Sequence, residues 1–124
     1  MNGLMLLLVS VPNCSDPQTQ SDMTQCAVME YVRADAALSL QWSITATEMR
    51  RRDKDRTSEQ DKRQGYYATL LASQRAWLAF RDTQCVVEGY EMRGGSGEPM
   101  LVAACKAELT RDRVTKLKQL AEEK

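Results

Sequence analysis

The segment Arg93-Gly94-Gly95-Ser96-Gly97-Glu98-Pro99 separates two long stripes of helical period. Three glycines within four residues supply turn conformations that interrupt a helix, and Pro99 suits the first turn of the next one. Upstream the stripe runs Tyr67, Leu71, Gln74, Leu78, Arg81 and Cys85, broadened by Leu70 and Trp77. Downstream, Leu101, Cys105, Leu109, Leu117 and Leu120 repeat at compatible intervals. The pattern predicts a helical hairpin, with one helix from near Ser58 to about Met92 and another from about Pro99 to Ala121. Ser58 is the expected N-cap, with Asp61 three residues on, and Gly65 weakens the pattern locally. Glu122 to Lys124 are expected to fray.

Further upstream, Met23, Ala27, Tyr31, Ala34, Leu38, Trp42, Thr45 and Met49 recur in steps of four and three. A first amphipathic helix is therefore expected from Ser21, as N-cap, to about Arg52. Asp22 complements its positive start, and Arg50, Arg51 and Arg52 complement its negative end. From Glu48 to Arg63 the chain is charged and nearly free of large apolar side chains, so it reads as a solvated turn flanked by helix ends. Asp53, Asp55, Glu59 and Asp61 interleave with its arginines, which marks a charged surface rather than a basic binding motif. No internal repeat and no strand-like alternation appears. The expected fold is all-α, with three long antiparallel helices in an elongated bundle.

The chain has 124 residues, 17 basic and 17 acidic side chains, and no histidine. That balance disfavours nucleic acid as a partner, because phosphate binding draws on a clustered cationic surplus. The absence of histidine removes His-activated nucleophiles, His-containing zinc sites and His pH switches together. An apolar content of 43% is ordinary for a globular domain. One domain of this length buries about two-thirds of its unfolded surface.

The N-terminal run Leu4, Met5, Leu6, Leu7, Leu8 and Val9, followed by Pro12, resembles the tail of an export signal. It is too short to span a bilayer, no Lys or Arg precedes it, and no small-x-small cleavage site stands out. Residues 1–12 are read as a signal remnant or disordered N-terminus, with an apolar element packed on the core as the alternative, and 13–124 as the folded domain. Val11, Pro12 and Asn13 before Cys14 are poor matches to lipoprotein processing. Cys14, Cys26, Cys85 and Cys105 form no Cys-x-x-Cys, which disfavours zinc ribbons and thioredoxin-like redox sites. Two disulfides are expected. Of three possible connectivities, sequence neighbours are the simplest, Cys14 with Cys26 and Cys85 with Cys105. The second pair lies ten residues either side of position 95, so antiparallel helices bring the two level.

Gln74 and Arg81 lie seven residues apart on one apolar helix face. A buried arginine requires partners, and Asp35 of the first helix is the leading candidate for a structural polar network of Asp35, Gln74 and Arg81. Seventeen carboxylates do not by themselves define the fixed acid and nucleophile pair of a glycosidase. The seven methionines are scattered, and Trp42, Trp77 and Phe80 sit at helical packing positions. No catalytic residue, metal site or cofactor is assigned.

The run Gln74-Arg75-Ala76-Trp77-Leu78-Ala79-Phe80-Arg81-Asp82-Thr83-Gln84-Cys85, with Gly94-Gly95-Ser96, Cys105 and Thr110-Arg111-Asp112-Arg113, resembles the LprI N-terminal domain family. Cys14, Met23-Thr24-Gln25-Cys26-Ala27 and Tyr31 to Leu38 fit the family's first helix, so the likeness extends from Cys14 to about Leu117. The resemblance implies an exported bacterial helical protein, periplasmic or secreted, in a family with one branch that binds and inhibits lysozyme. It carries no mapped inhibitory residue. The expected function is a non-enzymatic exported binding protein, with lysozyme inhibition as the activity the resemblance implies; the alternatives are a helical module that binds another envelope or host protein or a glycan, and an enzyme acting on cell-wall material. For lysozyme, a physical route is entry of the loop Arg93, Gly94, Gly95, Ser96, Gly97 and Glu98 into the enzyme cleft. Arg93 would face catalytic carboxylates and Ser96 would supply hydrogen bonds. The same residues also suffice as a plain helix-hairpin connection. Zero net charge points to short-range shape complementarity over long-range steering.

Overall fold

A computed structural model of the chain describes residues 3, 11–56 and 61–122. The export-signal reading of 1–12 and the Ser58 cap therefore fall largely or wholly outside the described residues. Three helices account for the fold: α1 (Gln20–Asp55), α2 (Tyr66–Gly89, continued by a 3-10 turn at Tyr90–Met92) and α3 (Glu98–Glu122). At 1.5 Å per residue, the 36 residues of α1 reach about 54 Å, well beyond the other two. The fold is all-α, as the apolar periodicity predicts. No strand occurs among the described residues.

The path is up, down, up. Gln20 meets Met100, and Thr45 meets Leu117, so α1 and α3 run parallel. Cys85 joins Cys105, while Gln74 meets Arg113, so α2 runs antiparallel to both. The large apolar side chains gather in one half. Leu38, Ala46, Met49, Leu70 and Leu117 form the core, with Trp42, Tyr67, Trp77, Val114 and Leu120 packed around it. Toward the Gly-rich loop the buried side chains shrink to Ala34, Ala103, Ala107, Cys85 and Cys105. There the helices approach closely: a Cβ at Gly89 would sit 2.6 Å from Val102 Cγ2. The Cys85–Cys105 bridge ties the half of the bundle where apolar mass is least.

Two helix starts differ from expectation. Thr19, not Ser21, caps α1, its Oγ1 accepting from Asp22 N at 3.0 Å. Ser21 Oγ accepts instead from Gln25 Nε2 inside the first turns. Helix α2 begins at Tyr66, after Gly65, rather than near Ser58. Its cap comes from another helix: Asp53 of α1 accepts from Tyr66 N (2.7 Å) and Tyr67 N (3.0 Å). Asp61, the expected capping-box acid, pairs with Arg63. Helix α1 runs three residues past Arg52. Arg52 donates to the carbonyls of Leu120 and Ala121, satisfying the end of α3 with a cation at the negative pole of its dipole.

Candidate functional site

Three helix ends meet at one pole of the bundle: the start of α1, the end of α2 and the start of α3. Both disulfides lie in this half. Cys14–Cys26, with Cα atoms 5.6 Å apart, pins residues before α1 onto its second turn. Cys85–Cys105, with Cα atoms 5.4 Å apart, clamps α2 to α3. Between these helices lies the loop 93–97. Gly94 takes φ +78°, a left-handed conformation that favours glycine, and its N–H donates to Glu98 Oε1 at 3.1 Å. Gly97 is buried against Met92, where a Cβ would approach the sulfur to 2.7 Å. Arg93 to Ser96 are exposed, and the Arg93 guanidinium lies 4.3 Å from the Tyr90 ring centre.

Behind the loop a groove of about 440 Å³ opens between α1 and α2 over a floor of α3. Val28 and Tyr31 form one wall, Val86 the other, and Pro99, Val102 and Ala103 the floor, with Glu98 and Lys106 along it. Val28 and Val86 each keep 43% of their surface exposed. A second, larger groove of about 770 Å³, lined in part by Met49, Thr69, Leu70 and Leu120, lies at the opposite pole and adjoins residues 61–65.

Arg81 lies beside Tyr31, a wall residue of the smaller groove. It is buried at 6% exposure, and its Nε donates to Asp82 Oδ1 at 3.0 Å. Its Nη1 donates to Thr110 Oγ1 at 3.4 Å and lies 3.8 Å from Asp35 Oδ1. Tyr31 and Trp77 each place a ring centre 5.3 Å from the guanidinium carbon. Asp35 and Arg81 thus come together across α1 and α2, whereas Gln74 serves another cation. Its Oε1 accepts from Arg113 Nε at 2.8 Å, and Arg113 also reaches Ser73 Oγ and the Trp77 ring. Burial lowers the Arg113 pKa from its ordinary value. Arg113 was legible in principle: it falls midway in the inward series Leu109, Arg113, Leu117. Tyr31, Asp82, Lys106 and Thr110 complete the cluster, with Lys106 bridging toward Asp82 (4.0 Å) and the Tyr31 ring (5.6 Å).

The fold separates charges that balance in sequence. On the loop side of a waist through Leu38, Arg81 and Thr110 stand nine carboxylates against five cations, with Arg111 included because it reaches back to Glu30 at 3.6 Å. Beyond the waist, the described residues carry six carboxylates against eleven cations. Many of the latter pair locally: hydrogen bonds from Arg51 and Arg52 hold Glu48 down to a pKa of about 2, and Arg63 lowers that of Asp61. The bundle is neutral overall and acidic at the pole that bears the loop and groove.

Comparison with known proteins places these features in a family. The family described as Lysozyme inhibitor LprI matches residues 13–117, which span nearly all three helices. An uncharacterized protein of Rhizobium meliloti (strain 1021) is 41% identical over 111 residues, covering 90% of this chain and 80% of the relative. No solved structure matches. No helix among the described residues is long and apolar enough to cross a membrane.

Proposed function

The chain belongs to the lysozyme inhibitor LprI family, and we propose that it is an exported, non-enzymatic binding protein that inhibits lysozyme in the periplasm or outside the cell. The observation that carries this reading is the family match over 13–117, which takes in both disulfide pairs and nearly all of the three-helix frame. Two disulfides fit an oxidising, extracytoplasmic setting. Inhibition by binding asks for a stiff surface, since every side chain or loop ordered on association subtracts from affinity. The clamped pole meets that requirement: covalent bridges hold its helices, and Glu98 and Met92 fix the loop from within.

In this reading the loop 93–96 is the element that enters the enzyme cleft. Arg93 is the cation at its start, set beside Tyr90, and offers a fork suited to a carboxylate. The test is a turbidity assay of lysozyme acting on bacterial cell walls with the oxidised protein added. The reading expects slowed clearing that saturates with added protein. No slowing at a large molar excess rejects lysozyme as the target, and capture of a different envelope component in that case identifies a general helical binding module. Arg93→Glu is expected to weaken inhibition; unchanged inhibition by that variant eliminates loop insertion. Release of wall fragments by the protein alone would overturn the non-enzymatic assignment.

A further inference from the structure

We infer that the groove between α1 and α2, lined by Val28, Tyr31, Val86 and Val102, docks an apolar side chain of a basic protein, flanked on that protein by cations. This rests on the preceding reading of the chain as a lysozyme-directed binder and names the surface that does the holding. Two observations carry it. The groove exposes valines on both walls, one on α1 and one on α2, at positions where neither helix supplies a cover. It also lies beside carboxylates: Glu98 lines it, and Asp82 stands 4.0 Å from Lys106, another lining residue, and shares Arg81 with Asp35, both acids about half exposed.

The surrounding charge selects the partner. The pole holds nine carboxylates against five cations, and its basic groups Arg81 and Lys106 are already engaged with Asp82 and the Tyr31 ring. A cationic partner meets a favourable field on approach and an apolar slot on contact. The field governs the rate of encounter, and burial of the valines governs residence. An acidic partner is repelled by the same end. Arg93 of the loop then reaches a local acidic cleft on an otherwise basic surface, so loop and groove act on different parts of one partner.

The test compares inhibition of a basic lysozyme by the oxidised wild type, the double variant Val28→Lys/Val86→Lys, and a control that adds the same charge at exposed positions of the opposite pole, Ala68→Lys/Gln119→Lys. Both valines are half exposed, and circular dichroism verifies that the helices persist. The double variant is expected to need about ten-fold or more protein for half inhibition, and the control to match the wild type. For the wild type, the association rate is expected to fall steeply from about 20 mM to about 300 mM salt. If the wild type inhibits and the double variant inhibits equally, the groove is not the surface. If the double variant fails to fold, Val86→Thr and the wild-type salt dependence decide, and a rate insensitive to salt overturns the proposal. Concentration-dependent self-association that the valine substitutions abolish would assign the groove to a second copy of the chain and also overturn it. A wild type without inhibitory activity is a different failure, that of the functional reading itself.

Discussion

Thr110, fully buried, contributes the uncharged polar contact to the buried Arg81 guanidinium, whereas the two carboxylates on Arg81 are half exposed. Thr110→Val keeps the shape and deletes the acceptor, leaving a buried N–H unmatched. The expected cost is about 1–3 kcal/mol, read from urea unfolding, with far less loss from a threonine-to-valine change at exposed Thr83. Thr45 makes a parallel case: fully buried, it donates to the Leu117 carbonyl and accepts from Gln41. Glu48 shows the electrostatics of the other pole. Its folded pKa lies below the ordinary value, so its arginine pairing stabilises the fold at neutral pH, persists down to about pH 4.5, and is lost as pH falls toward 2. Melting temperatures of wild type and Glu48→Gln should therefore differ at pH 7 and converge near pH 2. A gap that is constant with pH contradicts the assigned cause.

At the scale of the helices, what the sequence makes legible is what depends on near neighbours. The stripes Met23 to Met49 and Leu101 to Leu120 report helices because the 3.6-residue period is local, and the Gly-rich break reports its own turn. The start of α2 is hidden because its cap is tertiary. Asp53 reaches the N–H groups of Tyr66 and Tyr67 only after α1 and α2 pack, so the local candidates Ser58 and Asp61 carry no information about it. Asp53→Ala should cost about 1–2 kcal/mol and fray the first turn of α2, seen as faster amide exchange at Tyr66 and Tyr67. The disulfides differ in the same spirit. Cys85 and Cys105 are buried, and Glu88 Oε2 stands 2.9 Å from Cys105 Sγ, where it repels an incoming thiolate. Cys14 is exposed. Stepwise reduction followed by alkylation and mass mapping should label Cys14 and Cys26 first. Replacing Cys85 and Cys105 with alanine should remove about 3 kcal/mol, through the unfolded-state entropy of its twenty-residue span.

For the molecule as a whole, zero net charge conceals a polar object. Residues 11–38 and 79–110 are far apart in the chain, and only the up-down-up path brings their carboxylates to one pole. Composition therefore argues for short-range recognition, while the folded charge distribution adds steering at the loop end. The groove is equally invisible in sequence, because Val28, Val86 and Val102 come from three helices and none breaks its own pattern. The Asp35 and Arg81 pairing is legible, since a cation on an apolar stripe demands partners; that Gln74 would serve Arg113 instead depends on the register of α2 against α3. Sedimentation velocity of the oxidised protein mixed with a basic lysozyme at low salt is the most direct test of the central claim. The account predicts a faster boundary for a one-to-one complex that dissolves as salt is raised. Two independent boundaries, unshifted at every ratio tested, would contradict it.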